Sequence, residues 1–536
     1  MLSQILPIHL GWAAWLLLAV ALLAAALIYS FIYEDRPYPN IPMVGKVPWD
    51  FLNMKTKEHF VRHANEVMAQ GMIEHPTHPF QVNGANGPII ILPRLFAEEI
   101  RHDPRLSFTG VIEHNFFPSY AGLEIFSPIG PGNDILQEVV RKHLTLSLDA
   151  LTPALSDEMG LAVATLLLPR ATSPKDEEGS GADGWKRVKF FHVAPELTAR
   201  VSSRAFLGAP LCRDARWLDV AVRYTIDSFF AVRALRVVPP VLRPVAQHFL
   251  PEMRVVRDEV RRARVVVGAE VEERRRARLE AQCRGEEEDE GKGGRDAIAW
   301  FDEVAGDREY DIVREQMMLS VAAIHTTSVT LMALLYDLAE NPEWIGRVRE
   351  EVVAVLREDG GWGKNTLGKM RLLDSCMKES QRLHTVGALS MNRRVEQAMT
   401  LSDGTHLPRG ALLGIPTITM RDPSGRWGPS AARFVGDRFL RLREQQSGTG
   451  GGGSSNRWQF VSTSADHMGF GYGRQACPGR FFAAAQIKVS IVHLLLNFDW
   501  RWEAGKGQPR SVIQSEHIPD PEAEILFRRR TPEIEL

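Results

Sequence analysis

The stretch that most constrains this chain is Phe470-Gly471-Tyr472-Gly473-Arg474-Gln475-Ala476-Cys477-Pro478-Gly479-Arg480, which runs into an apolar segment from Phe481 to Leu496. Of four cysteines, only Cys477 is set among glycines. Gly471, Gly473 and Gly479 let the backbone come close to something flat and large, with no Cβ in the way. Pro478 fixes a turn and gives up an N–H as the following helix begins. A thiolate at a helix N-terminus is favoured by the helix dipole and by free N–H groups, and a sulfur must be a thiolate to bind a metal. The plain alternative is a glycine-rich surface loop with a half-buried structural cysteine.

Length alone would allow several domains in 536 residues. Nothing between residues 49 and 536 reads as a linker joining two self-sufficient halves, so one large domain is expected there. With 64 basic and 66 acidic residues the net charge is −2, which gives no support for nucleic-acid binding. Cys212, Cys283, Cys376 and Cys477 are too scattered for a disulfide framework or a zinc site, which fits a reducing compartment. From Met1 to Tyr33 there is no Asp, Glu, Lys or Arg, and about 20 such apolar residues span a bilayer core. A cleaved signal peptide is the rival, with Ala24-Ala25-Ala26 as its small residues, but the basic flank is missing and the apolar run is too long. The expectation is a retained single-pass anchor over residues 1–33, whose flanking charges do not sign its orientation. Residues 34–48, with Pro37, Pro39 and Pro42, read as a stiff extended hinge.

Further along, Phe80–Asn83 and Pro88–Pro93 around Gly84 to Gly87 predict a β-hairpin. Leu95–His102 predicts a helix, and Phe108–Asn133, rich in Gly, Pro and aromatics, a long loop. Ile135–Leu148 predicts a helix carrying Arg141, Lys142 and His143. Residues 172–184, 284–295 and 446–456 read as solvated insertions, and Tyr224–Pro251 as an apolar helix-loop-helix broken at Pro239-Pro240. Val313–Leu338 holds no Pro or Gly and predicts a buried helix of roughly 40 Å. It contains Ala322-Ala323-Ile324-His325-Thr326-Thr327; an ordinary buried threonine there bonds the carbonyl four residues earlier. Glu379-Ser380-Gln381-Arg382 falls on a helix from about Leu367 to Leu383, so its carboxylate and guanidinium share a face. Alone, such a pair is a surface ion pair worth under about 1 kcal/mol. Phe434-Val435-Gly436-Asp437-Arg438-Phe439 begins 55 residues after Glu379.

Taken in order, these motifs resemble the cytochrome P450 family over essentially the whole chain after the anchor. The cysteine stretch is similar to that family's haem-binding loop, in the fungal form that continues Arg480-Phe481-Phe482-Ala483. The resemblance implies a mainly α fold with a small β region around haem b, its iron ligated by the Cys477 thiolate. Phe470, Gly471, Arg474, Gln475 and Gly479 would surround the haem, with Arg393 and Arg141 reaching its propionates. Gln475 departs from the family's usual Arg or His, and Gln137 stands where a Trp usually precedes the position of Arg141. Counting eight residues back from Leu401 selects Arg393 over Arg394. Glu379, Arg382 and Arg438 match a buried Glu-Arg-Arg triad supporting the haem-loop side. The Ala322–Thr327 run is similar to an oxygen-activating motif of a small pair, an acid and a threonine. Thr326 would then serve oxygen activation and proton relay, with His325 in the acid's place passing protons as an imidazole.

The implied reaction puts one atom of O2 into a lipophilic small molecule and releases the other as water. NADPH supplies electrons through a separate NADPH-cytochrome P450 reductase, and cytochrome b5 is a further donor the resemblance allows. Hydroxylation, epoxidation and desaturation all fit. The form of the motifs resembles enzymes of fungal secondary metabolism that act on terpenoids, indole-diterpenes or meroterpenoids. The catalytic domain, residues 49–536, would face the cytosol from the endoplasmic reticulum membrane, with residues 224–251 roofing the pocket and a hairpin of Ile518-Pro519 and Ile525–Phe527 closing it. Two other readings stay open. One is a reductase-independent haem-thiolate isomerase or dehydratase, which His325 allows and Thr326 argues against. The other is a haem-binding membrane protein without catalysis, against which Cys477, Glu379 and Arg382 weigh.

Overall fold

The computed structural model describes residues 12–127, 134–167, 184–284, 296–363, 365–447 and 455–536; the three expected insertions fall almost wholly outside these. The fold is mainly helical and is built around the helix Ile312–Glu340. Asp311 caps its start, its carboxylate accepting the N–H groups of Val313 and Arg314, and Asn341-Pro342 ends it. Leu331, Leu334, Leu335 and Leu338 are all but inaccessible, each such burial contributing about 2 kcal/mol. The helices Phe190–Phe206, Ala215–Val237, Arg371–Leu383 and Arg480–Asn497 pack against it. By length and composition this central helix could cross a membrane, but its burial marks it as the core.

A five-stranded sheet lies to one side. Its strands are β1 Phe80–Gly84, β2 Gly87–Ile91, β3 Leu106–Ser107, β4 Leu389–Val395 and β5 Leu412–Pro416, in the order β1-β2-β5-β4-β3. Only β2 and β5 run parallel. The hairpin of β1 and β2 forms where expected, turning at Gly87 with φ +103°, which glycine allows. Ile525–Arg529 joins a separate sheet between Lys186–Val188 and Phe498–Arg501. Ile518–Pro519 pairs instead with Ser511–Ile513, so the two tail strands do not form the hairpin expected from sequence.

Three further expectations are corrected. Residues 108–133 are not one long loop: the Ser107 hydroxyl accepts the Gly110 N–H and starts a helix, Phe108–Phe116, and Glu124–Phe126 makes a 3-10 turn. Ile135–Leu148 is not one regular helix. It winds as α over Ile135–Glu138 and as a wider π turn over Val139–Leu144, and the next helix, Leu148–Leu166, starts afresh. Leu95–His102 is a 3-10 turn and a single α turn, Arg94–Phe96 and Ala97–Ile100.

The N-terminal helix spans Trp12–Glu34 and presents Trp12, Trp15 and Leu17 outward, Trp12 with 83% of its surface exposed. Its last residue is held: Arg243 and Arg236 donate to the Glu34 carboxylate at 2.7 and 3.1 Å, and both guanidiniums lie over the Phe117 ring. The irregular hinge that follows is pinned by buried Gln81, whose amide donates to Tyr38 O and Ile41 O.

Candidate active site

The cysteine loop folds on itself and on one neighbour. Cys477 N–H donates to Phe470 O at 2.8 Å, and Arg474 N–H to Arg101 O at 3.0 Å. Gly473, at φ +80°, lies so close to Arg101 that a Cβ there would stand 2.3 Å from its carbonyl oxygen, so only glycine fits. The Phe470 ring meets Phe460 edge-on at 5.0 Å. Burial pushes the Cys477 thiol up, while the N–H groups of Gly479 and Arg480 and the Arg480 charge act the other way. The first turn of the Arg480–Asn497 helix thus aims two donors at one sulfur. At Gly479 a Cβ would meet only Val140, at 4.0 Å, so no protein group fills that side.

The predicted cationic residues separate by environment. Arg393 is 2% exposed; its Nη1 donates to Asn392 O, its Nη2 has no partner, and burial pulls the guanidinium down to about 10. Arg394 points to the other side of the strand, 3.8 Å from Glu113. The side chains of Arg474 and Arg141 are exposed. Arg141 sits on the π turn near enough to Arg480 to weaken its hold on a proton. Gln475 is occupied elsewhere: its amide donates to Leu106 O and accepts Phe108 N–H, both at 2.6 Å, so it fastens β3 and the Phe108–Phe116 helix to the loop. A thiol with two directed N–H donors, glycines that leave room beside it, and a buried guanidinium lacking a carboxylate together fit a haem with its propionate. Among the described residues no three His, Cys, Asp or Glu side chains cluster as a metal site.

On the core helix, Ala322 and Thr326 are exposed although the turns after them are buried. They therefore form one wall of the space on this face. Thr326 Oγ1 donates to Ala322 O at 2.7 Å and Thr330 Oγ1 to Thr326 O at 2.8 Å, so Thr326 makes the ordinary backbone bond too, while Thr327 is buried. His325 faces the Phe229 ring at 6.0 Å, and burial lowers its pKa against the pull of Glu516. The imidazole is therefore neutral near pH 7.

The sequence did not show the aromatic wall that continues from there. Phe229 meets Phe116 edge-on at 5.3 Å, Phe116 stacks on Phe126 at 4.1 Å, and Phe126 on Tyr224 at 6.5 Å. The hints of this wall were the aromatic content of residues 108–133 and the expected pocket roof over residues 224–251, which holds Tyr224 and Phe229. Arg233, on the same helix as Phe229, reaches Glu516 at 3.2 Å, tying this wall to the C-terminal segment.

Below the loop, Glu379 is wholly buried between two arginines. Arg382 Nε and Nη2 each donate to it at 2.8 Å, and Arg438 Nε at 2.9 Å. Arg382 Nη1 also donates to Met420 O and Ala431 O, and Val435 N–H to Glu379. The three side chains clamp the Arg371–Leu383 helix to the chain that leads toward the cysteine loop.

The family model for cytochrome P450 matches residues 219–527. The chain is 37% identical to cytochrome P450 monooxygenase hepE of Aspergillus oryzae, covering 95% of this chain and 89% of that protein. It is 34% identical to cytochrome P450 monooxygenase pyr3 of Aspergillus fumigatus, covering 98% and 96%, and 34% identical to adrA of Penicillium rubens, covering 92% and 93%. The solved structure of a retinoic acid bound cyanobacterial CYP120A1 superposes with TM-score 0.62 at 16% identity, over 92% of this chain and all of that one. With the matched model covering more than half of its length, this chain belongs to the cytochrome P450 family.

Proposed function

We propose that this monooxygenase oxidises a lipophilic secondary metabolite, of terpenoid, indole-diterpene or meroterpenoid type, with electrons from NADPH passed on by a separate reductase. The observation that carries the reading is the pairing of the Cys477 loop with Arg393, whose buried guanidinium has an unsatisfied Nη2. Cys477 Sγ would ligate the haem iron, the N–H groups of Gly479 and Arg480 favouring its thiolate. Arg393 binds a propionate, which relieves a buried charge that has no other counter-ion. Haem supplies the activation of O2 when bound. Thr326 Oγ1, held by its bond to Ala322 O, keeps its lone pairs free to accept from a water. The neutral His325 imidazole beside it takes and returns a proton. Phe116, Phe126, Phe229 and Tyr224 keep water from an apolar skeleton and favour fused hydrocarbon rings.

Glu379, Arg382 and Arg438 support the loop without touching the reacting atoms. Residues 1–33 anchor the domain in the endoplasmic reticulum, which the exposed apolar side chains of Trp12, Trp15 and Leu17 support. The fungal origin of the three relatives supports the substrate class. The test is the carbon monoxide difference spectrum of the reduced, full-length protein, followed by terpenoid titrations and NADPH consumption with a fungal reductase. A strongly red-shifted band and substrate-dependent product formation are expected. Haem-loaded protein lacking the band would overturn the ligand assignment, and turnover without NADPH would favour the isomerase reading.

A further inference from the structure

A cavity of about 70 Å³ lies beside the core helix beyond Thr326. Val329, Ala333 and Tyr336 form its helical wall, and Arg421, His384 and His517 lie among the residues opposite. One guanidinium, two imidazoles, a phenol and side-chain amides line it, and no carboxylate does. Arg421 finds no acidic partner: burial and the neighbouring Arg382 charge both pull its pKa down. Tyr336 is 2% exposed and lines this cavity, and its buried hydroxyl has no hydrogen-bond partner. The His517 ring is set by its Nδ1, 2.8 Å from Thr385 O. The acids around it lie off the wall: Asp337 pairs with His384 at 3.0 Å, Glu340 accepts the Gln508 N–H, and Asp520 acts on Tyr336 through its charge.

A buried phenol without a partner, beside a half-buried guanidinium with no acidic partner, on a wall free of acids, lacks one thing, an anion. The cavity is several times the roughly 10–15 Å³ that a single water needs and has room for a carboxylate. Its place on the helix says which carboxylate. Ala322, Thr326, Val329, Ala333 and Tyr336 follow one another at spacings of four and three, so they form a single stripe. At 1.5 Å per residue, Ala333 lies about 10 Å and Tyr336 about 15 Å from Thr326. Resting on the proposed reaction at Thr326, we propose that Arg421 and Tyr336 bind the carboxylate of a lipophilic acid whose skeleton runs along this stripe to the oxidising centre. The substrate class is thereby narrowed to acids, with oxidation about 10 to 15 Å from the carboxylate.

The experiment uses haem-loaded full-length enzyme in detergent, as wild type, Arg421→Met and Tyr336→Phe, titrated with dodecanoic acid and methyl dodecanoate. Spin-state shifts of the haem report skeleton binding, and thermal midpoints with sodium formate report the anion site alone. Wild type should bind the acid at least tenfold more tightly than the ester. Arg421→Met should abolish that preference and Tyr336→Phe reduce it several-fold, with ester binding unchanged. Formate should raise the midpoint of wild type only and should compete with the acid. If acid and ester bind alike while formate still stabilises wild type alone, the cavity is a free-anion site and the substrate assignment falls. If wild type ignores formate, or the variants respond as it does, the whole proposal falls. Should Arg421→Met not fold, Tyr336→Phe decides. The carbon monoxide band is read throughout: its presence with no anion effect sinks this inference alone, and its absence from wild type sinks the haem-thiolate reading instead.

Discussion

Arg393 and Arg394 are neighbours on one strand and carry the same charge, yet the alternation of strand side chains gives them opposite fates. Arg394 faces Glu113, and Arg393 is buried with an unfilled Nη2. Removing Arg393 should therefore have opposite effects in the two states of the enzyme. Arg393→Met is expected to leave the haem-free protein no less stable, since a buried unpaired charge goes, and to speed haem loss about tenfold or more. Arg394→Met should do neither; haem transfer to apomyoglobin and thermal midpoints of both forms check this. At Cys477, Cys477→Ser is expected to lose the red-shifted carbon monoxide band while circular dichroism stays near wild type, because the loop's own contacts, Cys477 N–H to Phe470 O and Arg474 N–H to Arg101 O, do not use the sulfur.

The Arg371–Leu383 helix shows the same economy one level up. Glu379 takes three side-chain hydrogen bonds from two arginines, so Glu379→Gln leaves two buried cations short of their counter-charge. A loss of about 3–5 kcal/mol is expected, seen as reduced haem content and a lower denaturation midpoint. Arg382→Lys should not rescue, since one ammonium cannot span Glu379, Met420 O and Ala431 O. Signals confined to one element were legible in sequence: an uninterrupted apolar run gave the core helix, and Gly84 to Gly87 gave the hairpin. The Glu379–Arg382 pair was legible because its spacing lies within one helix. The helix Phe108–Phe116 was hidden because its start is a Ser107 hydroxyl bond amid Gly and aromatic residues that read as loop. The tail strands were misjoined because Ile525–Arg529 finds its partners far back in the chain, at Lys186–Val188 and Phe498–Arg501, while Ile518–Pro519 turns back on the preceding Ser511–Ile513. The acid-free wall at Arg421 was likewise out of reach, since it joins residues 336, 384, 421 and 517.

Across the whole molecule, buried titratable groups set opposing limits on stability. His493 ends a buried polar chain: Trp362 Nε1–H donates to Ser156 Oγ, which lies 2.8 Å from His493 Nε2. Burial pulls its pKa down to about 4, as it does for His114 and His517. Unfolded, these imidazoles take up protons from about pH 6.5. The unfolded state thus binds more protons between about 6.5 and 4, and stability falls as pH falls through that window. Glu259 acts the other way. Burial, then the Asp227 charge, push its carboxyl up to about 8, and burial pushes Glu315 up to about 7. Unfolded, both lose their protons near pH 4.5, so the folded state holds more protons up to those values, and stability falls as pH rises. From 4.5 to 6.5 three histidines outweigh two carboxyls, and just above 6.5 the carboxyls act alone, so these groups place a local maximum near pH 6.5; from about pH 7 upward buried Lys378, its ammonium pulled down to about 7 by burial, opposes them, because the unfolded lysine holds its proton there. Glu259 alone should cost about 2 kcal/mol between pH 6.5 and 8 at 1.36 kcal/mol per unit, a loss that Lys378 offsets in part above about pH 7. Glu259 lies on the Pro251–Arg284 helix, packed against Ala215–Val237, which carries Phe229, so the alkaline loss should begin in the roof over the aromatic wall. Glu259→Gln keeps the shape and cannot ionise. It should flatten the descent, unfolding at higher urea than wild type at pH 8 and at no higher urea at pH 5, whereas curves that fall in parallel at both pH values would show that Glu259 is not the group that titrates.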